Sequence, residues 1–194
     1  MISILGGTFD PIHNGHLYIV EEVVAAFSPR EIVFVPGKEP PHRDAPCATP
    51  KQRAEMVKLA IANNKQYVFS NIELERPGPS YTIDTVKTLK KFYPDDEMTL
   101  ILGSDAYDNF TTWLHWEEIL EYCQLIVVNR DKNRHYKTSD ELISPEFIYS
   151  LQVTPCPISA TQIRAFIAHG ESIDKLVPAA VKNYIEQHKL YLSQ

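Results

Sequence analysis

Apolar and polar positions change rhythm along this chain in a regular order. Ile2 to Leu5 is short and β-rich and runs straight into Gly6-Gly7, a strong turn signal. Beyond Pro11 the rhythm lengthens: Leu17, Val20, Val24 and Phe27 recur at helical spacing, and Ile19 and Val23 widen the stripe. Ser28-Pro29 stops that helix. Glu31 to Val35 reads as a buried strand ended by Pro36-Gly37, and Lys38 to Ala48, holding Pro40, Pro41 and Pro46, as a loop. Thr49-Pro50-Lys51-Gln52 is a helix start, with Thr at the cap, Pro at the first helical position and Gln three residues on. That helix is expected to reach Asn63-Asn64. Tyr67 to Ile72 alternates as a third strand, Glu75 to Pro79 is a turn-rich loop, and Ser80 to Phe92 a helix ending before Pro94. Met98 to Leu102 is a fourth strand closing at Gly103-Ser104-Asp105. Short helices are expected around Tyr107 and over Trp116 to Tyr122, and a fifth strand over Leu125 to Val128. A polar loop over Arg130 to Glu141, a last strand over Phe147 to Val153 and helices over Ser159 to His169 and Val181 to His188 complete the pattern.

Short strands alternating with helices imply βαβ units and a mostly parallel sheet, with right-handed crossovers. Ligands of such sheets sit beyond the carboxyl ends of the strands. Residues that follow strands directly are therefore the ones to inspect: Gly6 to His16, His42 and Asp105. No repeat, low-complexity tract or linker divides the chain.

Composition narrows the classes further. The 194 residues are 44% hydrophobic and 23% charged, ordinary globular usage that excludes a disordered chain or a coiled-coil rod. No apolar run approaches the ~20 residues that span a bilayer, and the start lacks the pattern of a secretory signal. Nineteen basic residues against 25 acidic ones give a net charge of −6, which argues against a general nucleic-acid binder. Cys47, Cys123 and Cys156 show no metal spacing and read as buried thiols in a reducing cytoplasm.

Gly6-Gly7-Thr8-Phe9-Asp10-Pro11-Ile12-His13-Asn14-Gly15-His16 places a glycine turn and two histidines at a helix start. Glycines admit close approach of backbone N–H groups, and a helix N-terminus attracts phosphate. His13 and His16, three apart, share a face, and Gly15 leaves room between them for a ligand. There is no GxxxxGK[ST], no GxGxxG and no HExxH. Near the other end, Ile158-Ser159-Ala160-Thr161-Gln162-Ile163-Arg164 carries a capping box from Ser159 to Gln162, with Ile158 and Ile163 as a hydrophobic staple. Arg164 can grip phosphate bidentately. Taken alone, this second string is simply a well-started helix.

Together the two strings resemble the signature of the nucleotidylyltransferase superfamily, whose HxGH element also resembles the HIGH element of class I aminoacyl-tRNA synthetases. The resemblance implies an α/β, Rossmann-like doubly wound parallel sheet of about five to six strands flanked by helices, one domain over 1–194 with a C-terminal helical portion at about 159–194. It implies that Gly6, Gly7, Thr8, Phe9, Gly103, Asp105 and Ile158 line the ATP site. His13 and His16 would be catalytic and steady the transferred α-phosphoryl group, while Ser159, Thr161 and Arg164 would hold the β- and γ-phosphates.

Three further strings resemble elements of the bacterial nicotinate-nucleotide adenylyltransferases: Pro40-Pro41-His42-Arg43, Pro79-Ser80-Tyr81-Thr82-Ile83-Asp84-Thr85, and Leu102-Gly103-Ser104-Asp105 followed by Trp113. This implies an acceptor site in which His42 and Arg43 bind the mononucleotide phosphate. Backbone N–H groups around Thr82, Ile83 and Leu114, beside Tyr81, would hold the nicotinate carboxylate. Trp113 would stack on the pyridine ring, with Trp116 left to the core and Arg130 reaching the nucleotide. Asp105 would contact ribose or orient Mg²⁺, or else cap a helix. The expected reaction is adenylyl transfer from Mg²⁺-ATP to nicotinate mononucleotide, giving deamido-NAD and pyrophosphate. The metal would be held mainly by the ATP phosphates, with no residue assigned as its ligand, and no nucleic-acid polymer or membrane would be involved. Nicotinamide mononucleotide or phosphopantetheine as acceptor, and a nucleotide sensor without turnover, remain the alternatives, and the oligomeric state stays open.

Overall fold

The computed structural model describes residues 1–38, 45–129 and 142–192. Its elements are β1 (Ile2–Gly7), α1 (Asn14–Phe27), β2 (Glu31–Pro36), α2 (Pro50–Ile61), β3 (Tyr67–Phe69), α3 (Ile72–Glu75), α4 (Thr82–Phe92), β4 (Met98–Gly103), α5 (Ser104–Asp108), α6 (Trp116–Tyr122), β5 (Gln124–Asn129), β6 (Ile148–Gln152), α7 (Ala160–Ala168) and α8 (Ala179–Gln187). The six strands form one sheet in the order β3-β2-β1-β4-β5-β6, with every neighbouring pair parallel. This is the doubly wound Rossmann-like arrangement, whose strand order reverses direction between β1 and β4.

Both faces of the sheet are buried, so its strands read as near-continuous apolar runs. Alternate residues go to opposite sides. Ile32 and Phe34 of β2 and Ile126 and Val128 of β5 join α1, α2, α7 and α8 in one core. Val33, Val35, Leu125 and Val127 join α4 and α6 in the other. One polar pair interrupts the apolar interior: the Ser3 and Thr99 hydroxyls meet at 2.8 Å across β1 and β4, each satisfying the other.

Local signals explain most of the helix boundaries. Thr49 caps α2 through a complete capping box, its hydroxyl accepting the Gln52 N–H at 3.3 Å while Gln52 Oε1 accepts the Thr49 N–H at 2.9 Å. Ser159 caps α7 by accepting the Gln162 N–H at 3.2 Å, but among the described residues no return bond from the Gln162 side chain completes the expected capping box; Ile158 and Ile163 pack in the same core as the staple predicts.

Several expectations are corrected. Gly6 and Gly7 are not the turn: both stay in β1, and the turn comes at Asp10-Pro11, just after Phe9, whose φ is 50°. Gly7 is needed because a Cβ there would lie 2.9 Å from the Phe9 ring. The third strand stops at Phe69, since Asn71 starts the short α3 where Ile72 was expected to continue the strand. The helix expected from Ser80 begins at Thr82, because the Ser80 hydroxyl is held by other partners described below. Of the cysteines, Cys123 is buried, Cys156 half-buried and Cys47 exposed. Desolvation pushes the Cys123 thiol up to about 12, so it is inert. Among the described residues no helix is long and apolar enough to cross a membrane.

Candidate active site

A crevice opens where the strand order reverses. Pairing of β1 with β4 covers only Ile2 to Ile4 against Met98 to Leu100. On the outer sides, β1 stays paired with β2 as far as Gly7 and β4 with β5 as far as Gly103. The two central strands therefore part before their carboxyl ends, and the loops after them frame the gap.

The loop after β1 is set by packing. Phe9 is 2% exposed, and its ring meets His16 edge-on at 5.1 Å and Phe34 at 6.3 Å. This burial offsets its unfavourable φ. His13 is the residue preceding α1, and His16 ends the first turn's third position. Their rings stack at 3.7 Å, with His13 buried and His16 half-buried. The His13 N–H donates to His16 Nδ1 at 3.3 Å. A neutral His16 thus carries its ring proton on Nε2, which is the donor it can offer to a ligand. The space expected beside Gly15 is already filled: a Cβ there would meet His13 Nδ1 at 3.0 Å and Ile158 at 3.4 Å. Gly15 thus lets Ile158, in the segment leading into α7, approach the start of α1; it does not open room for substrate.

That contact brings the two distant strings together. Arg164 Nη1 donates to the Asp10 carbonyl at 2.7 Å, and Nη2 lies 3.3 Å from the Thr161 hydroxyl. Two helix starts, α1 and α7, thereby converge on one side of the crevice with Ser159 and Thr161 exposed. The C-terminal segment reinforces the arrangement. The Asn14 N–H donates to the Leu176 carbonyl and its side-chain amide to the Lys175 carbonyl, both at 2.8 Å.

Sequence reasoning missed what lies beneath. The Asp10 carboxylate is 5% exposed and accepts the Cys47 N–H at 2.7 Å, the Ala48 N–H at 3.1 Å and the Tyr191 hydroxyl at 2.7 Å. Burial and the neighbouring Asp10 charge push the Tyr191 phenol far up, so it remains a donor. Arg53 is fully buried, and that burial lowers its pKa while Asp10 opposes the shift. One signal was available: Arg53 falls on the apolar stripe of α2 with Met56 and Val57, a charged residue at a core position.

The residues expected to receive the acceptor lie at the start of α4 and in the segments after β4. Tyr81 precedes α4 and Thr82 opens it, so the first backbone N–H groups of α4 face outward from that end, while the Ile83 side chain is committed to the core. Ser80 accepts the Lys38 N–H at 2.9 Å and also bonds to Glu73. The buried Glu73 accepts the Thr85 hydroxyl at 2.6 Å, and desolvation raises its carboxyl above the ordinary range. Gly103 caps α5, which places the exposed Asp105 inside the first turn and settles that it is not the cap. Trp113 and Trp116 both lean on Phe110, at 5.4 and 6.2 Å, and both are half-buried; the expected division between site and core is less sharp than their spacing suggested. Leu114 is 46% exposed in the turn between them. His42, Arg43 and Arg130 lie outside the described residues. Among those residues no group of three His, Cys, Asp or Glu side chains could hold a metal ion.

Comparison with known proteins agrees with this geometry. Residues 4–166 match the cytidylyltransferase-like family model. A Coxiella burnetii protein named "Probable nicotinate-nucleotide adenylyltransferase" is 40% identical, with 98% of each chain covered. One of the same name from Dictyoglomus thermophilum is 42% identical over 98% of this chain and 99% of that one. In three dimensions the chain resembles the Plasmodium falciparum nicotinic acid mononucleotide adenylyltransferase complexed with NaAD, with a TM-score of 0.77, 22% identity and coverage of 98% and 96%. The parting of β1 from β4, the HxGH helix start and the full-length relatedness lead to one conclusion: this chain belongs to the cytidylyltransferase-like family and, within it, to the nicotinate-nucleotide adenylyltransferases.

Proposed function

We propose that this protein transfers the adenylyl group of ATP to nicotinate mononucleotide, releasing pyrophosphate and forming deamido-NAD. The observation that carries the reading is the meeting of the α1 and α7 helix starts, through Arg164 and the Asp10 carbonyl, beside the crevice between β1 and β4. Such an assembly of helix N-termini, imidazole and guanidinium suits a polyphosphate. Full-length relatives at about 40% identity bearing the name of this activity support the choice of acceptor.

In this reading the acceptor's phosphate oxygen attacks the α-phosphorus in line and pyrophosphate leaves. The nucleophile is already anionic, so no strong base is required, and catalysis is positioning and charge stabilisation. His16 donates from Nε2 to the transferring phosphoryl oxygens. His13, buried under it, sets its orientation through the ring stack and its own N–H. Gly6, Gly7, Thr8 and Phe9 shape the phosphate loop, with Gly103, Asp105 and Ile158 at its borders. Ser159, Thr161 and Arg164 take the leaving pyrophosphate. Tyr81, Thr82, Ile83, Trp113 and Leu114 receive the nicotinate ring, with His42, Arg43 and Arg130 assigned to the acceptor from sequence alone.

The donors around the phosphate site fit phosphate oxygens and not a cation, and both Asp10 carboxylate oxygens are engaged by N–H and O–H donors. Mg²⁺ would then be held mainly by the ATP phosphates and would supply charge neutralisation there. The deciding experiment measures pyrophosphate release from Mg²⁺-ATP with nicotinate mononucleotide, nicotinamide mononucleotide and phosphopantetheine. Strong preference for the first is expected. Turnover with phosphopantetheine alone overturns the acceptor assignment, and ATP binding without turnover on any acceptor points to a sensor.

A further inference from the structure

A charge in a protein interior is costly unless its partners are in place, so the use to which a buried guanidinium puts its donors is informative. Arg53 sits on α2, fully buried, within the electrostatic reach of Asp10. Among the described residues its hydrogen bonds all go to backbone carbonyls. Nη1 reaches the Thr8 and Gly37 carbonyls, both at 2.6 Å, Nη2 the Lys38 carbonyl at 3.1 Å and Nε the Ala48 carbonyl at 3.3 Å. These four carbonyls belong to three segments: the loop after β1, the exit of β2 and the approach to α2.

The placement has a specific consequence. Pairing of β1 with β2 ends at Gly7 and Pro36, with one last bond from the Gly37 N–H to the Gly7 carbonyl at 2.9 Å. Beyond that point no further ladder bond joins the two backbones among the described residues. Arg53 takes over there, gripping Thr8 on one side and Gly37 and Lys38 on the other. Ser80 holds the same stretch from the opposite side by accepting the Lys38 N–H. The loop after β1 carries the phosphate histidines, and Lys38 meets Ser80 just before the α4 start proposed for the acceptor.

We propose that Arg53 is a positioning residue for the transfer: it sets the phosphate loop in register with the exit of β2, and so aligns the two substrates with each other. The inference rests on the adenylyl-transfer reading. A lysine, a single point donor on a flexible stem, cannot span the four carbonyls that the planar fork reaches. Each substrate would still find its own half of the site, while their mutual alignment would be lost, and a misplacement of about 1 Å can lower a rate roughly 10²-fold.

The test compares wild type with Arg53→Lys on the full chain. ATP-binding stoichiometry counts competent molecules, and KM for each substrate is measured beside kcat. Expected for Arg53→Lys is one ATP per chain, both KM values within threefold, and kcat per ATP-binding chain lowered 30-fold or more. A folded Arg53→Lys with kcat within twofold of wild type overturns the proposal. If Arg53→Lys does not fold, Ser80→Ala decides, since it loosens the same backbone from the other side: a three- to tenfold fall in kcat with unchanged KM for ATP supports the proposal, and wild-type kcat overturns it. Amide exchange separates this inference from its parent. Should wild type release no pyrophosphate, the functional reading falls, and the Gly37 and Lys38 amides then decide. At least tenfold lower protection in Arg53→Lys supports the register role, and equal protection overturns it.

Discussion

The two sides of the crevice are built on different plans. The side after β1 is locked from beneath: the Asp10 carboxylate and the Arg53 guanidinium are buried, and both tie backbone from segments far apart in sequence. The side along β4 is open: Leu114 is exposed, Trp113 is half-buried on Phe110, and the structure there is short α5 and a single 3₁₀ turn over Phe110–Thr112. The difference follows from the work proposed for each. Stabilising charge that develops in a transition state needs donors already fixed in place. Receiving a flat ring needs one aromatic face and a few backbone donors, which a lightly held turn can supply.

The contrast is broken most forcefully at His16. His16→Ala should lower kcat by about 10²–10³-fold, the range for loss of one preorganised donor, while circular dichroism shows the helix content retained. Near-normal turnover of that folded variant would remove His16 from the chemistry. Arg164→Ala comes next. It removes the contact to the Asp10 carbonyl as well as the proposed phosphate grip, so KM for ATP should rise by about tenfold or more, with KM for the mononucleotide much less affected. Trp113→Ala should do the reverse, raising KM for nicotinate mononucleotide by about tenfold and leaving KM for ATP in place. Equal effects on both substrates would deny that the two sides bind separately.

Smaller effects sharpen the comparison. Burial raises the Glu73 carboxyl above its ordinary value, so the folded protein holds that proton more tightly than the unfolded chain. Its contribution is complete below the ordinary glutamate range and is lost as pH rises through the folded value. Urea melts across pH should show Glu73→Gln losing that downward slope while keeping an acceptor for Thr85; an unchanged pH profile would show that Glu73 carries no such linkage. The smallest effect is Thr49→Ala, which removes the cap of α2 and should reduce unfolding stability by about 1 kcal/mol in denaturant titration.

Legibility divided along similar lines. The alternation of strands and helices, the caps at Thr49 and Ser159 and the staple of Ile158 with Ile163 were readable because each depends on residues a few positions apart. The glycine turn was misread because the reason for Gly7 is the Phe9 ring, and the room beside Gly15 because that space belongs to His13 and to Ile158 from the other end of the chain. Nothing local marks Asp10 and Tyr191 as partners, because their bond spans nearly the whole chain. Arg53 left one legible trace, a charge on an apolar stripe, but nothing local names four carbonyls as its partners.

The residues by themselves determined the order of elements, the parallel sheet and the chemistry at the two helix starts, since periodicity, capping and anion affinity are short-range properties of the backbone. Only the tertiary structure decided that β1 and β4 part after Ile4 and Leu100, that Ile158 seats against the start of α1 at Gly15, and that a buried aspartate and arginine hold the loops in register. Those features rest on packing and on hydrogen bonds between distant segments, which exist only once the chain has closed on itself.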